Sequence, residues 1–425
     1  MKVMYVNTVC GVGSTGRIAC DMLDTVKNKG GEGIVVYGYG NAARVPEESG
    51  YKTGGNFNYY FHNIMSRLTD REGLFSNKAT KKLLKKIDEY QPDIIHLHNL
   101  HGHYINYEIL FKYLSQKNIK IIWTLHDCWP FTGHCAHFSY VGCDKWKTGC
   151  KECCQQRAYP ESLFISRSAN NFEKKKEAFC SVKNMTIVCP SNWLADLVKE
   201  SFLGKFPVKV INNGIDLSIF KPTECEFREK YGLQDKKIVL GVCGEWSKKK
   251  GLDDFYALSG SLSSDYAIVL VGLYPEQIEE IPTVLPSFKE VPEDGLSGKV
   301  FISKDKSEKG IEKLIVFTKT ESQEELASIY SASDVFVNST YEDTFPTVNL
   351  EALACGLPVV TYNTGGSPEA LDESCGIVTE KGDIDMLCLG IKSALNIPRE
   401  NARNRGLQFS KSECYLDYYR LYCSN

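Results

Sequence analysis

Short apolar runs alternate with helix-patterned segments along this chain, and after one turn-rich phrase the alternation starts again. In the first half, 2–7, 33–37, 93–97, 119–125 and 185–189 read as strands. Helical patterns such as 107–114 and 192–202 separate them, and one helix starts near Ser14. In the second half, 237–242, 266–271, 315–318, 335–338 and 358–361 repeat the strand signal. Apolar strands spaced by helices predict parallel sheets covered on both faces. Between the halves lies Asn212-Asn213-Gly214-Ile215-Asp216, ending near Phe220-Lys221-Pro222. Its Asn-Gly step and proline are turn signals, so the domain boundary is placed there. The expected division is 1–206, 207–399 and a helical segment, 400–425. A chain of 425 residues is too long for one ordinary core, which agrees with two domains. Residues 282–312 are polar, lack a clear period and read as an insertion in the second domain.

Composition narrows the function classes. Hydrophobic residues make up 43% and charged residues 24%, as in soluble globular proteins. A net charge of −3 gives no reason to expect a nucleic acid as partner. No apolar run approaches the about 20 residues that span a bilayer. The first residues, MKVMYVNTVCGVG, do not read as a signal peptide, because their apolar run is short and enters a glycine loop. The 17 cysteines are therefore expected to be reduced thiols or metal ligands of a cytoplasmic protein rather than disulfides.

Chemistry concentrates in 343–360, DTFPTVNLEALACGLPVV, which follows the strand-like 334–338. The pattern predicts strand, acidic loop, then helix, with Pro346 in the first turn. A helix N-terminus there would receive a phosphate, and an acid one turn further in would accept hydrogen bonds from ribose hydroxyls. Asp343 and Glu351 flank Phe345-Pro346-Thr347-Val348. This stretch resembles the donor-site signature of family 4 retaining glycosyltransferases of the GT-B fold, in which two glutamates are followed by Ala-Met/Leu-Ala-x-Gly-x-Pro-Val-Val. Here Glu351 is the second acid and Ala352-Leu353-Ala354-Cys355-Gly356-Leu357-Pro358-Val359-Val360 completes the pattern. The first acid departs from it: Asp343 stands at the matching spacing, with Glu342 just before it, and either could face the sugar. Asn213-Gly214-Ile215-Asp216, Pro190-Ser191-Asn192-Trp193-Leu194 and Gly365-Gly366-Ser367-Pro368-Glu369 also resemble the family.

The resemblance implies two Rossmann-like domains with sheets facing across a cleft that holds the active site. It implies transfer of a hexose from a UDP- or GDP-sugar with retained configuration and no catalytic metal. The acceptor it implies is a lipid-linked glycan for capsule, exopolysaccharide or lipopolysaccharide. A nucleotide-sugar epimerase or hydrolase of the same fold, and a non-catalytic sugar-binding protein, are the alternatives.

Three further segments fit this frame. Gly11-Val12-Gly13-Ser14-Thr15-Gly16 matches G-x-G-x-x-G, but the second strand ends Tyr37-Gly38-Tyr39 without the acid that a dinucleotide ribose needs. In the resembled family this loop approaches donor diphosphate and acceptor, making Gly13 and Ser14 candidates. His126 follows the strand 119–125, where the family places a histidine that positions the donor sugar. His96, His98, His101 and His103 cluster after another strand, and His101 or His103 could line the acceptor side. Lys248-Lys249-Lys250-Gly251 resembles the family's phosphate-binding Lys-Gly, and Lys250 is the first candidate. Gly244-Glu245 stand where the family has an arginine.

Two readings lie outside the donor chemistry. Cys135, Cys143, Cys150 and Cys153, ending in a C-x-x-C, suit a tetrahedral structural zinc that would order the long loop 126–160. Buried free thiols are the alternative. The helix expected over 76–90 carries Lys78, Lys81, Lys82 and Lys85 on one face, which suits an anionic membrane surface or plain solvation.

Overall fold

The computed structural model describes residues 1–291, 298–304 and 310–424. The chain divides into two compact units, 1–214 with 411–425, and 215–410.

The first unit holds a parallel seven-stranded sheet. Its strands are β1 (Lys2–Asn7), β2 (Glu32–Tyr37), β3 (Gly50–Lys52), β4 (Ile94–Leu97), β5 (Lys120–Thr124), β6 (Met185–Cys189) and β7 (Val208–Val210), in the order β3-β2-β1-β4-β5-β6-β7. β1, β4, β5 and β6 are buried almost end to end, because helices cover both faces and leave no room for alternation. β7 pairs with β6, so the boundary falls beyond it, at Gly214, rather than at 206. The helix Lys411–Cys423 belongs to this unit: Tyr415 donates to the Gly214 carbonyl at 3.1 Å, and Tyr418 and Tyr422 are buried against β4 and β5 residues. The helix Arg399–Leu407 instead stays with the second unit, where Arg403 bonds the Ala354 and Phe220 carbonyls. Only 411–425 of the expected 400–425 segment therefore leaves the second unit.

The second unit holds β8 (Lys237–Val242), β9 (Tyr266–Val271), β10 (Phe288–Val291), β11 (Lys299–Ser303), β12 (Lys313–Phe317), β13 (Val335–Asn338), β14 (Val359–Tyr362) and β15 (Gly376–Thr379). The order is β10-β11-β12-β9-β8-β13-β14-β15, parallel except at β10 and β11. The supposed featureless insertion thus supplies an antiparallel hairpin that widens the sheet at its edge. An edge hairpin carries lysine and glutamate on its solvent side, which hid its alternation. The described parts of 282–312 include this hairpin; 292–297 and 305–309 lie outside the described residues.

The parallel part of each sheet reverses its strand order once, between β1 and β4 in the first and between β8 and β13 in the second. Ligands of open α/β sheets sit beyond the carboxyl ends of the strands at that reversal. The loops after β1, β4, β8 and β13 are therefore where chemistry is expected, and every candidate loop named above except that of His126 and the cysteines is one of them. His126 follows β5, the next strand along.

Candidate active site

In the second unit two glycines build the site. Lys248–Lys250 form a single 3-10 turn after β8, ended by Gly251 at φ +76°. A Cβ on Gly251 would lie 2.1 Å from Ser339 Oγ, so the absent side chain lets this turn sit on the end of β13. Gly365, at φ +57°, presses on the same loop from the other side: its Cβ would lie 1.9 Å from the Asp343 carbonyl oxygen. Gly366 N–H donates to that oxygen at 3.0 Å.

Held this way, the two acids take different partners. Lys249 Nζ is 2.7 Å from Glu342 Oε1, and the Glu342 side chain is 4% exposed. Lys250 Nζ is 2.8 Å from Asp343 Oδ2 and 3.3 Å from the Glu342 carbonyl. Burial works against the charge on Lys250, but the Asp343 carboxylate outweighs it and holds the ammonium above its ordinary range. Asp343, about a quarter exposed, is the more open of the two carboxylates. Lys248 is exposed and faces Asp253 at 3.7 Å.

The helix Thr347–Ala354 starts immediately after this loop, with Pro346 as its N-cap rather than inside its first turn. Phe345 is buried and packs edge-on against Phe409, so its side chain belongs to the core and its backbone shapes the turn. Thr347 and Val348 are partly exposed on the first turn, where Asn349 N–H donates to the Pro346 carbonyl at 3.2 Å. One turn on, Glu351 Oε2 accepts from the buried Tyr330 hydroxyl at 3.2 Å, which fixes the carboxylate from behind. Burial and the Glu351 charge push the Tyr330 phenol well above its usual range, so it stays a donor. The structure brings together Lys250, Asp343 and the helix N-terminus; Tyr330 holds Glu351 on that helix.

In the first unit the glycine loop turns into the helix Gly13–Asn28, with Gly11 and Gly13 both at positive φ. A Cβ on Gly13 would meet no atom within 4 Å, and Ser14 is partly exposed beside it: the tip is open. Thr8 Oγ1 donates to the His101 carbonyl at 2.6 Å, joining the loops after β1 and β4.

The histidines form a stack. The rings of His96 and His98 lie 4.4 Å apart, and those of His98 and His126 lie 5.3 Å apart at 13°. His98 Nδ1 is 3.0 Å from His126 Nε2, so one donates and the other accepts. His96 bonds Tyr422 and Thr124. Burial pushes His126 down to about 4, with Asp127 pulling the other way, and burial lowers His96 to about 3. His126 is therefore a neutral imidazole near pH 7. His101 Nε2 lies 2.7 Å from Asp127 Oδ2; although burial opposes its charge, that contact holds Asp127 at about 2. The His98–His126 contact was invisible in the sequence because it crosses two strands.

The four candidate cysteines lie close together. Cys135, Cys143, Cys150 and Cys153 line one cavity of about 10 Å³ together with Cys154, Phe138 and Trp146. Gly133 N–H donates to Cys150 Sγ at 3.1 Å and Gln155 N–H to Cys153 Sγ at 3.4 Å. Among the described residues, the three-ligand group with all donor atoms within 4.8 Å is His62, Glu72 and His103, not the thiols. That group is already hydrogen-bonded: Glu72 accepts from Ser66, from the N–H groups of Gly102 and His103, and pairs with the His103 ring. Packing also holds the loop 126–160. Phe131, Phe138 and Trp146 pack on one another, and the buried Lys175 donates to the Trp129 and Thr132 carbonyls.

The second of the two Rossmann-like units carries a lysine, a helix N-terminus and carboxylates at its order reversal, an arrangement suited to a phosphorylated ligand. Comparison with known proteins specifies the family. The model for group 1 glycosyl transferases matches 224–408 and the model for glycosyltransferase family 4 matches 25–219. A protein of Escherichia coli K12 named for colanic acid biosynthesis as a glycosyl transferase, WcaC, is 24% identical over 397 residues, 90% of this chain and 88% of its own. Spore coat protein SA of Bacillus subtilis is 30% identical over 235 residues, half of this chain and 57% of its own. Among solved structures, a sucrose-phosphate synthase from Thermosynechococcus elongatus matches with a TM-score of 0.69 at 15% identity, covering 99% of this chain and 98% of its own. WaaG, a glycosyltransferase of lipopolysaccharide biosynthesis, matches at 0.62 with 14% identity and full coverage of both chains. The chain belongs to glycosyltransferase family 4, with the GT-B fold, and acts on a nucleotide-sugar donor.

Proposed function

We propose that the protein transfers a hexose, with retention, from a UDP- or GDP-sugar to a lipid-linked glycan of an exopolysaccharide, capsule or lipopolysaccharide pathway. The observation that carries the donor half is the Lys250–Asp343 pair at the start of the Thr347–Ala354 helix. Lys250 and the first-turn N–H groups neutralise the diphosphate, Glu351 takes the ribose hydroxyls and Asp343 meets the sugar. Pro346, Thr347 and Val348 shape that turn. Gly13 and Ser14 let backbone approach the donor and acceptor. His126, neutral and held by His98, aligns the sugar, while the leaving diphosphate takes the acceptor proton; no divalent cation enters. Distant similarity to WcaC supports the exopolysaccharide class, and an Anabaena protein solved with UDP-glucose, HepE, supports a UDP-sugar. A cytoplasmic location, beside a nucleotide-sugar pool, belongs to the same reading. Incubation with UDP- and GDP-hexoses and a lipid-linked acceptor should release nucleoside diphosphate only when the acceptor is present. Release with an inverted or free sugar and no acceptor would instead indicate the epimerase or hydrolase.

The structural zinc at Cys135, Cys143, Cys150 and Cys153 stays within this proposal. Its support is the shared cavity and the N–H groups aimed at two of the sulfurs. Elemental analysis should find about one zinc per chain, lost on changing Cys143 or Cys150. Metal-free, fully active protein would leave these thiols as packing.

A further inference from the structure

The helix Asn56–Thr69 is built inside out. Its buried residues are the polar His62 and Ser66, which bond Ser76 and Glu72. Its solvent side carries Phe57, Tyr60, Phe61, Ile64 and Leu68, at helical spacings of three and four residues. Phe57 is 84% exposed, Ile64 57% and Tyr60 55%. Beside the C-terminal end, Leu163 N–H donates to the Arg67 carbonyl and brings up Phe164, itself 75% exposed. Scattered exposed apolar residues are ordinary; a continuous aromatic stripe over a polar buried face is not.

The charge around the stripe is mainly basic, although Glu161 pairs with Arg67 and Glu89 with Lys85. Between 56 and 87 the acids are Asp70 and Glu72, both buried and hydrogen-bonded. The next helix, Asn77–Tyr90, begins against this one through the Asn58–Ser76 bond and the Phe61–Phe75 contact. It buries Ala79, Leu83 and Ile87 in the core and exposes Lys78, Lys81, Lys82 and Lys85. The lysine face alone thus has no apolar residues with which to enter a bilayer; the preceding helix has them. Among the described residues no helix is long and apolar enough to cross a membrane.

We propose that Phe57, Tyr60, Phe61, Ile64 and Leu68 dock the protein on an anionic lipid surface, inserting at headgroup depth while Lys78, Lys81, Lys82 and Lys85 meet the lipid charge. This goes beyond the transfer reaction and uses none of its residues. The test is flotation of the full chain with vesicles of phosphatidylcholine alone or mixed equally with phosphatidylglycerol, at low and high salt. Wild-type protein should bind the mixed vesicles at low salt. The double variant Phe57→Ser, Ile64→Ser should bind about tenfold more weakly or worse, and Lys81→Glu with Lys82→Glu should remove the lipid-charge preference. All these positions are exposed, so unchanged circular dichroism and melting should accompany the loss. No wild-type binding, or binding indifferent to both variants, would overturn the proposal. So would a concentration-dependent dimer that the Phe57 and Ile64 changes abolish, which would assign the face to a second copy. Because binding is read without turnover, a failed transfer assay leaves this result intact.

Discussion

His126 and Glu351 show how much depends on the residue behind the residue. His126 is fixed by His98, and Glu351 by Tyr330. If His126 aligns the sugar, His126→Ala should keep donor affinity within a few fold and cut turnover on the order of 10²-fold, because alignment is realised in the transition state. Steady-state kinetics with donor titration decide it; equal losses in binding and turnover would make His126 a packing residue. The sequence named both residues through their place after a strand or inside a motif. It could not name His98 or Tyr330 as partners, since neither is adjacent in the chain. Nor was it legible that the Phe345 ring packs into the core against Phe409.

The loop 339–344 is shaped less by its own residues than by two neighbouring turns. Gly251 and Gly365 both approach it more closely than any side chain permits. Gly365→Ala would combine a collision with Asp343 and a φ of +57°, so it should cost roughly 1–3 kcal/mol and weaken donor binding together. Denaturant unfolding checks the first and donor titration the second; a neutral substitution would show that the loop is not held as described. Buried parallel strands such as β1, β6, β8, β9 and β13 were legible, because their apolar runs have no other use. Short or edge strands were not: β3, β10, β11 and β15 are half-exposed and lack the signal. The helix Asn56–Thr69 was missed for the opposite reason, since its apolar face is outward.

Across the molecule, the twofold α/β plan was legible from the repeated alternation, while strand order needed the structure to bring Lys250 against Asp343. The first unit also stores a pH dependence. Burial lowers His62 and His126 to about 4 and His96 to about 3, from an ordinary value of 6.5. Below about 6.5 the unfolded chain binds protons that the folded one refuses. The stability this protects is fully present above that pH and is lost as the pH falls through about 4. Unfolding midpoints should therefore drop between neutral pH and about pH 5, with proton uptake on unfolding; a flat or rising midpoint would contradict the buried neutral histidines.

The central claim, a nucleotide-sugar site at the order reversal of the second sheet, is tested most directly by donor binding. UDP-, GDP- and ADP-sugars should be titrated against wild-type protein and Glu351→Gln, reading thermal stability and affinity. One nucleotide class should stabilise the wild type, by about 2.7 kcal/mol at a hundredfold excess over Kd. Glu351→Gln should bind that class about 1–3 kcal/mol more weakly, as a neutral amide holds ribose hydroxyls less well. Indifference to every nucleotide, or equal affinity in the variant, would contradict the account.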